Sequence, residues 1–471
     1  MAELTPADQV LANLPARTLR SALMSAEEML EGYARKSLTP LQVLYAVTAR
    51  IEAENPAINA FATLHPNALQ AARASTARWA AGAPQGMLDG VPVTVKDLID
   101  IAGLPTRRGS RVTDPAPAAE DAPIVAALKT AGAIIIGKTT TTEFGWKSPG
   151  DCPLHGITYN PWNLQHSAGG SSSGAAAAAA AGFGPLHIGT DAGGAIRIPA
   201  AWCGVVGLKP TFGRVPQWPL GAFGNVAVAG PITRNVRDAA LLLSVIARFD
   251  VRDPFSLPEN PRDWRKGIED GVEGMRIAIL PSPGFNAPVD QDGHDAMNAA
   301  CKALEKEGAS IDIAEVKLPD SSEIFSRLWG AALNRVVGTV PREKRHLLDP
   351  GLVDVAGRFQ NVSALEMIEA EALRLAAAHA MAMLHQTFDA VICPAVPACA
   401  PRAREKIADP VAALWNDWAP WTFLFNLTRQ PAITLPVGTN AVGLPRAVQI
   451  ATALYRDNHL LRIARTIERA L

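Results

Sequence analysis

Residues 169 to 181 constrain this 471-residue chain more than any other segment. Gly169-Gly-Ser-Ser-Ser-Gly174 runs directly into an unbroken alanine stretch over 175–181. Alanine is the strongest helix former, and a helix without side-chain bulk can lie close against a sheet. The stretch is far shorter than the ~18 apolar residues a membrane span needs. It reads as an interior helix, and the strand-like 185–189 that follows offers a surface for it to pack on.

Strands and helices alternate along the rest of the chain. Gly90-Val-Pro-Val-Thr-Val-Lys96-Asp97 reads as a short strand ending in two charges. A helix over 121–131 leads into a buried strand over 133–137. Further strands are expected at 276–280, 390–393, 432–437 and 447–450, with amphipathic helices at 233–245 and 365–384. The first eighty residues read as helical. Ser25-Ala-Glu-Glu28 has capping-box spacing, and Thr39-Pro40 supplies an N-cap and a first-turn proline. The alternation predicts one large α/β sheet structure, with a helical arm over 1–85 packed on a domain over 86–471.

Lys+Arg number 44 against Asp+Glu 45, so net charge gives no case for nucleic acid or an anionic membrane as partner. With 48% hydrophobic and 19% charged residues, the chain fills a large core and is not disordered. The five cysteines include no CxxC pair, which supports neither a disulfide framework nor a zinc site. The opening MAELTPADQV has no basic and apolar leader pattern, so a cytoplasmic location is expected.

Three readings compete for the glycine-rich element. A phosphate loop needs a Gly-Lys-Ser/Thr ending, and Gly174 is followed by alanine. Gly170-Ser-Ser-Ser-Gly174 fits a nucleophile elbow centred on Ser172, with His385 or His459 as the late histidine. A plain structural loop is the third.

The wider arrangement favours none of these. Gly169–Gly174, Gly189-Thr-Asp-Ala-Gly-Gly-Ala-Ile-Arg-Ile-Pro-Ala200 and Cys203-Gly-Val-Val-Gly-Leu-Lys-Pro-Thr211 closely resemble the amidase signature family. Gly90–Asp97, Asn160-Pro-Trp-Asn163, Gly230-Pro-Ile-Thr-Arg234 and Phe425-Asn-Leu-Thr-Arg-Gln-Pro-Ala432 resemble it too, in the same order. The resemblance spans roughly residues 20 to 471. It implies one large α/β domain whose central mixed, twisted sheet is covered by helices on both faces. It also implies hydrolysis of amides, sometimes esters or carbamates, without a metal or organic cofactor.

Carried over by motif, the resemblance makes Lys96 the base and Ser171, after a cis peptide bond, the relay. The nucleophilic serine's position is occupied here by Ala195. Backbone N–H groups of Ala192, Gly193 and Gly194 would face the oxyanion, with Ser172, Thr190, Asp191 and Arg197 in support. The carbonyl of Gly145 and the ring of Trp146 would border the substrate. Trp415, Trp418 and Trp421 recur every third residue, as the core face of a helix or as further lining of the cleft. As lining, they would suit an aryl or bulky apolar substrate. Arg429 stands where the family often has glycine.

A serine hydroxyl needs a neighbouring base, and no histidine falls within these motifs. Lysine serves if burial disfavours its charge. Neutral Lys96 would draw a proton from Ser171, which would draw one from the nucleophile, and the relay would reverse for the leaving amine. A methyl group cannot attack a carbonyl, so the chain is expected to be nearly inert. It is either an engineered serine-to-alanine variant, which the intact surroundings favour, or a natural pseudoenzyme. The expected partner is a small amide and the expected state a monomer or homodimer. The competing function is the glutamine-hydrolysing subunit of a tRNA amidotransferase, which the tryptophan-rich segment suits poorly.

Overall fold

The computed structural model describes residues 20–403, 418 and 420–471. Capping chemistry sets the first helices. Ser25 Oγ accepts from the Glu28 N–H while the Glu28 carboxylate accepts from the Ser25 N–H, which starts the helix Ala26–Ala34. Thr39 and Gln42 repeat the arrangement at Pro40–Ile58, with the proline in the first turn. The chain then forms the strand Phe61–Leu64, which pairs antiparallel with Ile134–Thr139. Met29, Val43 and Val47 share one core cluster with Val93 and Ile188 of the sheet. Within residues 20–85, helices therefore pack on the sheet and the strand Phe61–Leu64 supplies its edge.

Eleven strands make the sheet. From that edge the order is Phe61–Leu64, Ile134–Thr139, Pro92–Lys96, Leu186–Asp191, Val228–Thr233 and Val206–Lys209. It continues through Ala432–Thr439, Pro445–Thr452, Ala390–Pro394, Arg276–Ile279 and Ser310–Ile313. Pairing is parallel where Pro92–Lys96 meets its two neighbours and in the last three strands; through the middle it is antiparallel. The sheet is thus mixed. The helices Ser173–Ala181 and Arg197–Cys203 pack against each other and on the sheet, and Asp457–Ala470 packs against both Val236–Ile246 and Gln291–Lys306.

The alanine helix packs closely. It spans Ser173–Ala181, and its alanines are buried save for Ala180. At Gly174 a Cβ would lie 2.5 Å from the Thr140 N–H nitrogen and would also strike the Ala60 carbonyl. That approach places the helix's first turn, and Ser171 and Ser172 just before it, against the ends of the strands carrying Lys96 and Thr190. The tryptophans at 418 and 421 sit in turns ahead of a short helix, Phe423–Leu427. Trp415 lies outside the described residues.

Gly174→Ala is expected to destabilise the protein by about 1–3 kcal/mol, the usual cost of overpacking a tight contact. Urea unfolding measures this; an unchanged midpoint would show that the helix has room to spare.

Candidate active site

Lys96 ends its strand inside the protein, with no solvent exposure. Its Nζ lies 2.7 Å from Ser171 Oγ, 2.9 Å from Ser172 Oγ and 2.9 Å from Thr190 Oγ1. Burial, opposed by the charge of Asp191, moves its pKa well below the ordinary lysine value. These three are hydroxyls and a longer fourth contact is to the Thr190 carbonyl (3.4 Å), so among the described residues no carboxylate touches the ammonium to hold its proton. Ser172 links three chain segments here. Its hydroxyl donates to the Thr190 carbonyl (3.1 Å), and its N–H donates to the carbonyl of Ala195 (3.1 Å). The Gly170–Ser171 peptide bond is cis.

The loop after Thr190 is organised by a buried ion pair. Asp191 and Arg197 meet at 2.9 Å with neither side chain exposed. One Asp191 oxygen also accepts from the Gly194 N–H (2.8 Å), the other from the Ile196 N–H (3.2 Å). Burial penalises this carboxylate, but Arg197, Lys209 and Asn426 outweigh the penalty and bring its pKa down to about 2. Arg197 also donates to the Thr422 carbonyl (2.8 Å), to Gln449 (2.6 Å) and to Asn426 (2.6 Å), which ties the loop to the helix Phe423–Leu427 and the strand Pro445–Thr452. Gly194 has a φ of +128°, and a side chain there would run into Thr422. Glycine is required.

Ser171, Thr190, Ala192, Ala195 and Gly145 open onto one cleft, with Lys96 behind Ser171. Leu98, Ile99, Arg108 and Phe144 line it from the segment that follows Lys96 and from the turn at 144. Trp218 and Phe223, with Trp329 from the helix Ser321–Gly338, supply an aromatic lining. Phe223 and Trp329 are stacked at 3.8 Å. Among the described residues no group of three or more His, Cys, Asp or Glu side chains could hold a metal ion. None of the described helices is long and apolar enough to cross a membrane.

A sequence profile described as Amidase matches residues 42–461. The chain belongs to the amidase signature family. It is 35% identical over 453 residues to an acylamidase of Rhodococcus erythropolis, covering 94% of this chain and 95% of that protein. Similarity extends to a glutamyl-tRNA(Gln) amidotransferase component of Rhodopirellula baltica, 34% identical over 95% of this chain and 96% of that one. Among solved structures, a bacterial aryl acylamidase of the amidase signature family superposes with a TM-score of 0.87 at 29% identity, covering 95% of this chain and 96% of that chain.

Within this amidase frame, several residues singled out from sequence lie away from the cleft. Trp146 is buried against Gly351 of the helix Pro350–Arg358. Trp418 belongs to a core cluster with Ile198 and Phe423, and Trp421 to another with Leu424 and Phe425. These three tryptophans fill cores; Trp218 and Trp329 line the cleft in their place. Ser172 bonds Lys96, Thr190 and Ala195, and neither His385, which bonds the Phe388 carbonyl, nor His459 is among its partners, so no nucleophile elbow forms on Ser172. Arg429 donates to the Asn225 carbonyl and stacks on Phe212, 4.4 Å from the ring centre. Sequence reading passed over Arg108, Phe144, Trp218, Phe223 and Trp329. Phe144 alone carried a signal, because it adjoins Gly145.

Arg197→Met leaves a buried carboxylate unpaired and is expected to cost about 3–5 kcal/mol near neutral pH. The folded pKa of Asp191 is depressed, so its contribution is present above the ordinary carboxylate value near ~3.9 and is lost as pH falls toward about 2. The difference between variant and unsubstituted chain in urea unfolding should therefore shrink below about pH 4. A loss under about 1 kcal/mol at pH 7 would contradict this.

Proposed function

We propose that the cleft binds a carboxylic amide with an aryl or bulky apolar group, and that its chemistry runs through Lys96, Ser171 and position 195. The observation that carries this reading is the buried 2.7 Å contact between Lys96 and Ser171 at a cleft also lined by Ala195. Proton accounting supports it. A neutral amine has two N–H donors and one lone pair. Ser172 already donates to the Thr190 carbonyl, so it accepts from Lys96, and Thr190 Oγ1 can accept the second proton. The lone pair is left for the Ser171 hydroxyl, which becomes polarised to take a proton from a nucleophile beside it.

At position 195 a serine would attack the substrate carbonyl and form an acyl-enzyme. The Gly194 N–H, expected from sequence to face the oxyanion, donates instead to Asp191, so the oxyanion would meet the other backbone N–H groups of the 192–195 turn, which the Asp191–Arg197 pair holds in place. The proton relayed to Lys96 would return through Ser171 to the leaving amine, and water would then release the acid. Ala195 supplies no attacking oxygen. We read it as a serine-to-alanine replacement in an otherwise intact site, which leaves a chain that binds without turnover. A stand-alone hydrolase fits better than the glutamine-hydrolysing amidotransferase component, because Trp218, Phe223 and Trp329 form an apolar wall ill-matched to glutamine's polar side chain. The likeness to an acylamidase supports the same choice.

Ala195→Ser is expected to raise hydrolysis of neutral anilides by roughly 10⁶-fold over the unsubstituted chain. A serine variant inert toward aryl, alkyl and carbamate substrates would instead support a binding protein. In that variant the base form is neutral lysine, so kcat/KM should rise with pH through a midpoint well below 10.5 and fall off on the acid side. Adding Lys96→Met should remove this limb; a limb that survives would exclude Lys96 as the base.

A further inference from the structure

Arg108 lines the cleft next to Phe144, Gly145 and Ser171. Its guanidinium makes no hydrogen bond or ion pair with any described residue. The adjacent Arg107, by contrast, is engaged with Thr113. Among the described lining residues the other charged group is Asp191, and Arg197 neutralises it. Arg108 is therefore the uncompensated charge of the cleft wall, half-buried among Leu98, Ile99 and Phe144.

The backbone keeps it there at a cost. Arg108 has a φ of +53° and Phe144 a φ of +50°, both left-handed and both unfavourable for side chains of this size. The two are joined directly: the Phe144 N–H donates to the Arg108 carbonyl (2.9 Å), and the Arg108 N–H donates to the Asp97 carbonyl (3.1 Å). Such residues persist where surrounding structure enforces them, and they cluster at ligand sites. A guanidinium held against apolar neighbours gives up part of its hydration, and an anion in the cleft restores what was lost with charge-assisted hydrogen bonds.

Resting on the amide-site reading, and naming the substrate class for it, we infer that the substrate carries a carboxylate and that Arg108 binds it. The aromatic wall takes the apolar part of the same molecule. The class is amides with an anionic substituent, such as N-acyl amino acids or anilides of dicarboxylic acids. In the first the carboxylate lies on the amine side of the scissile bond, in the second on the acyl side.

The chain as it stands, with Ala195, allows binding to be measured by titration calorimetry. N-benzoylglycine is compared with neutral N-benzoylglycinamide, and N-phenylsuccinamic acid with its methyl ester. At least one acid should bind about tenfold or more tightly than its neutral partner. Arg108→Gln should abolish that preference and Arg108→Lys should retain part of it. Arg108→Gly also removes the charge, and glycine accepts the left-handed backbone, so this variant should fold at least as well and lose the same preference. The inference is overturned if neither acid is preferred, or if the preference survives in the Gln and Gly variants. It is also overturned if acid and neutral probes lose affinity equally in Arg108→Gln, which would mean that the arginine stacks on a ring. If Ala195→Ser hydrolyses neutral anilides and no acid is preferred, the hydrolase reading stands and the carboxylate site falls. If acids are preferred but Ala195→Ser stays inert, the reverse holds.

Discussion

A lysine amine enclosed by hydroxyl groups, with no carboxylate in contact, is the constraint on which the rest of the site depends. A buried ammonium is expensive when its nearest partners are neutral. Lys96 meets Ser171, Ser172 and Thr190, and the nearby Asp191 charge is committed to Arg197. The fold assembles this from three elements: the end of one strand, the end of its parallel neighbour, and the turn before the alanine helix. The helix must come close for the turn to reach. Side chains reduced to methyl groups, and a glycine where backbone meets backbone, permit that approach.

The second framework is electrostatic and serves position. Asp191 and Arg197 neutralise each other in the interior, and their remaining hydrogen-bonding groups fasten the 192–196 turn to Thr422, Asn426 and Gln449. Buried pairs of this kind add little net stability but are costly to break, which suits them to holding a loop. Because the pair is internally balanced, the cleft it borders receives no net charge from it. Among the described lining residues, the other charge in these largely apolar and aromatic walls is that of Arg108.

Local chemistry made much of the fold readable in advance. The capping boxes at Ser25 and Thr39 mark helix starts, and the strand ending at Lys96 lies where alternating valines place it. The helix expected from residue 121 begins instead at Pro123, because proline favours the first helical turn. Motif resemblance named Lys96, Ser171 and Ala195, and the geometry brings Lys96 against Ser171 and sets Ser171 and Ala195 at one cleft. The cleft walls were not readable. A tryptophan at every third residue signals burial, not which interior it is buried in, so Trp418 and Trp421 fill cores. Trp218 and Trp329 reach the cleft from a loop and a distant helix that only the tertiary fold brings together. Arg107 and Arg108 are chemically identical in sequence, and it is the left-handed backbone at the second that separates their roles.

The most direct measurement is the titration of Lys96 itself, followed by nitrogen-15 NMR of the lysine side-chain amines in the chain as it stands, with Lys96→Met to assign the signal. A lysine enclosed as described should give a neutral-amine resonance with a pKa well below 10.5. A signal that remains that of an ammonium up to pH 10.5 would mean that Lys96 keeps its proton, and that it cannot be the base on which the account relies.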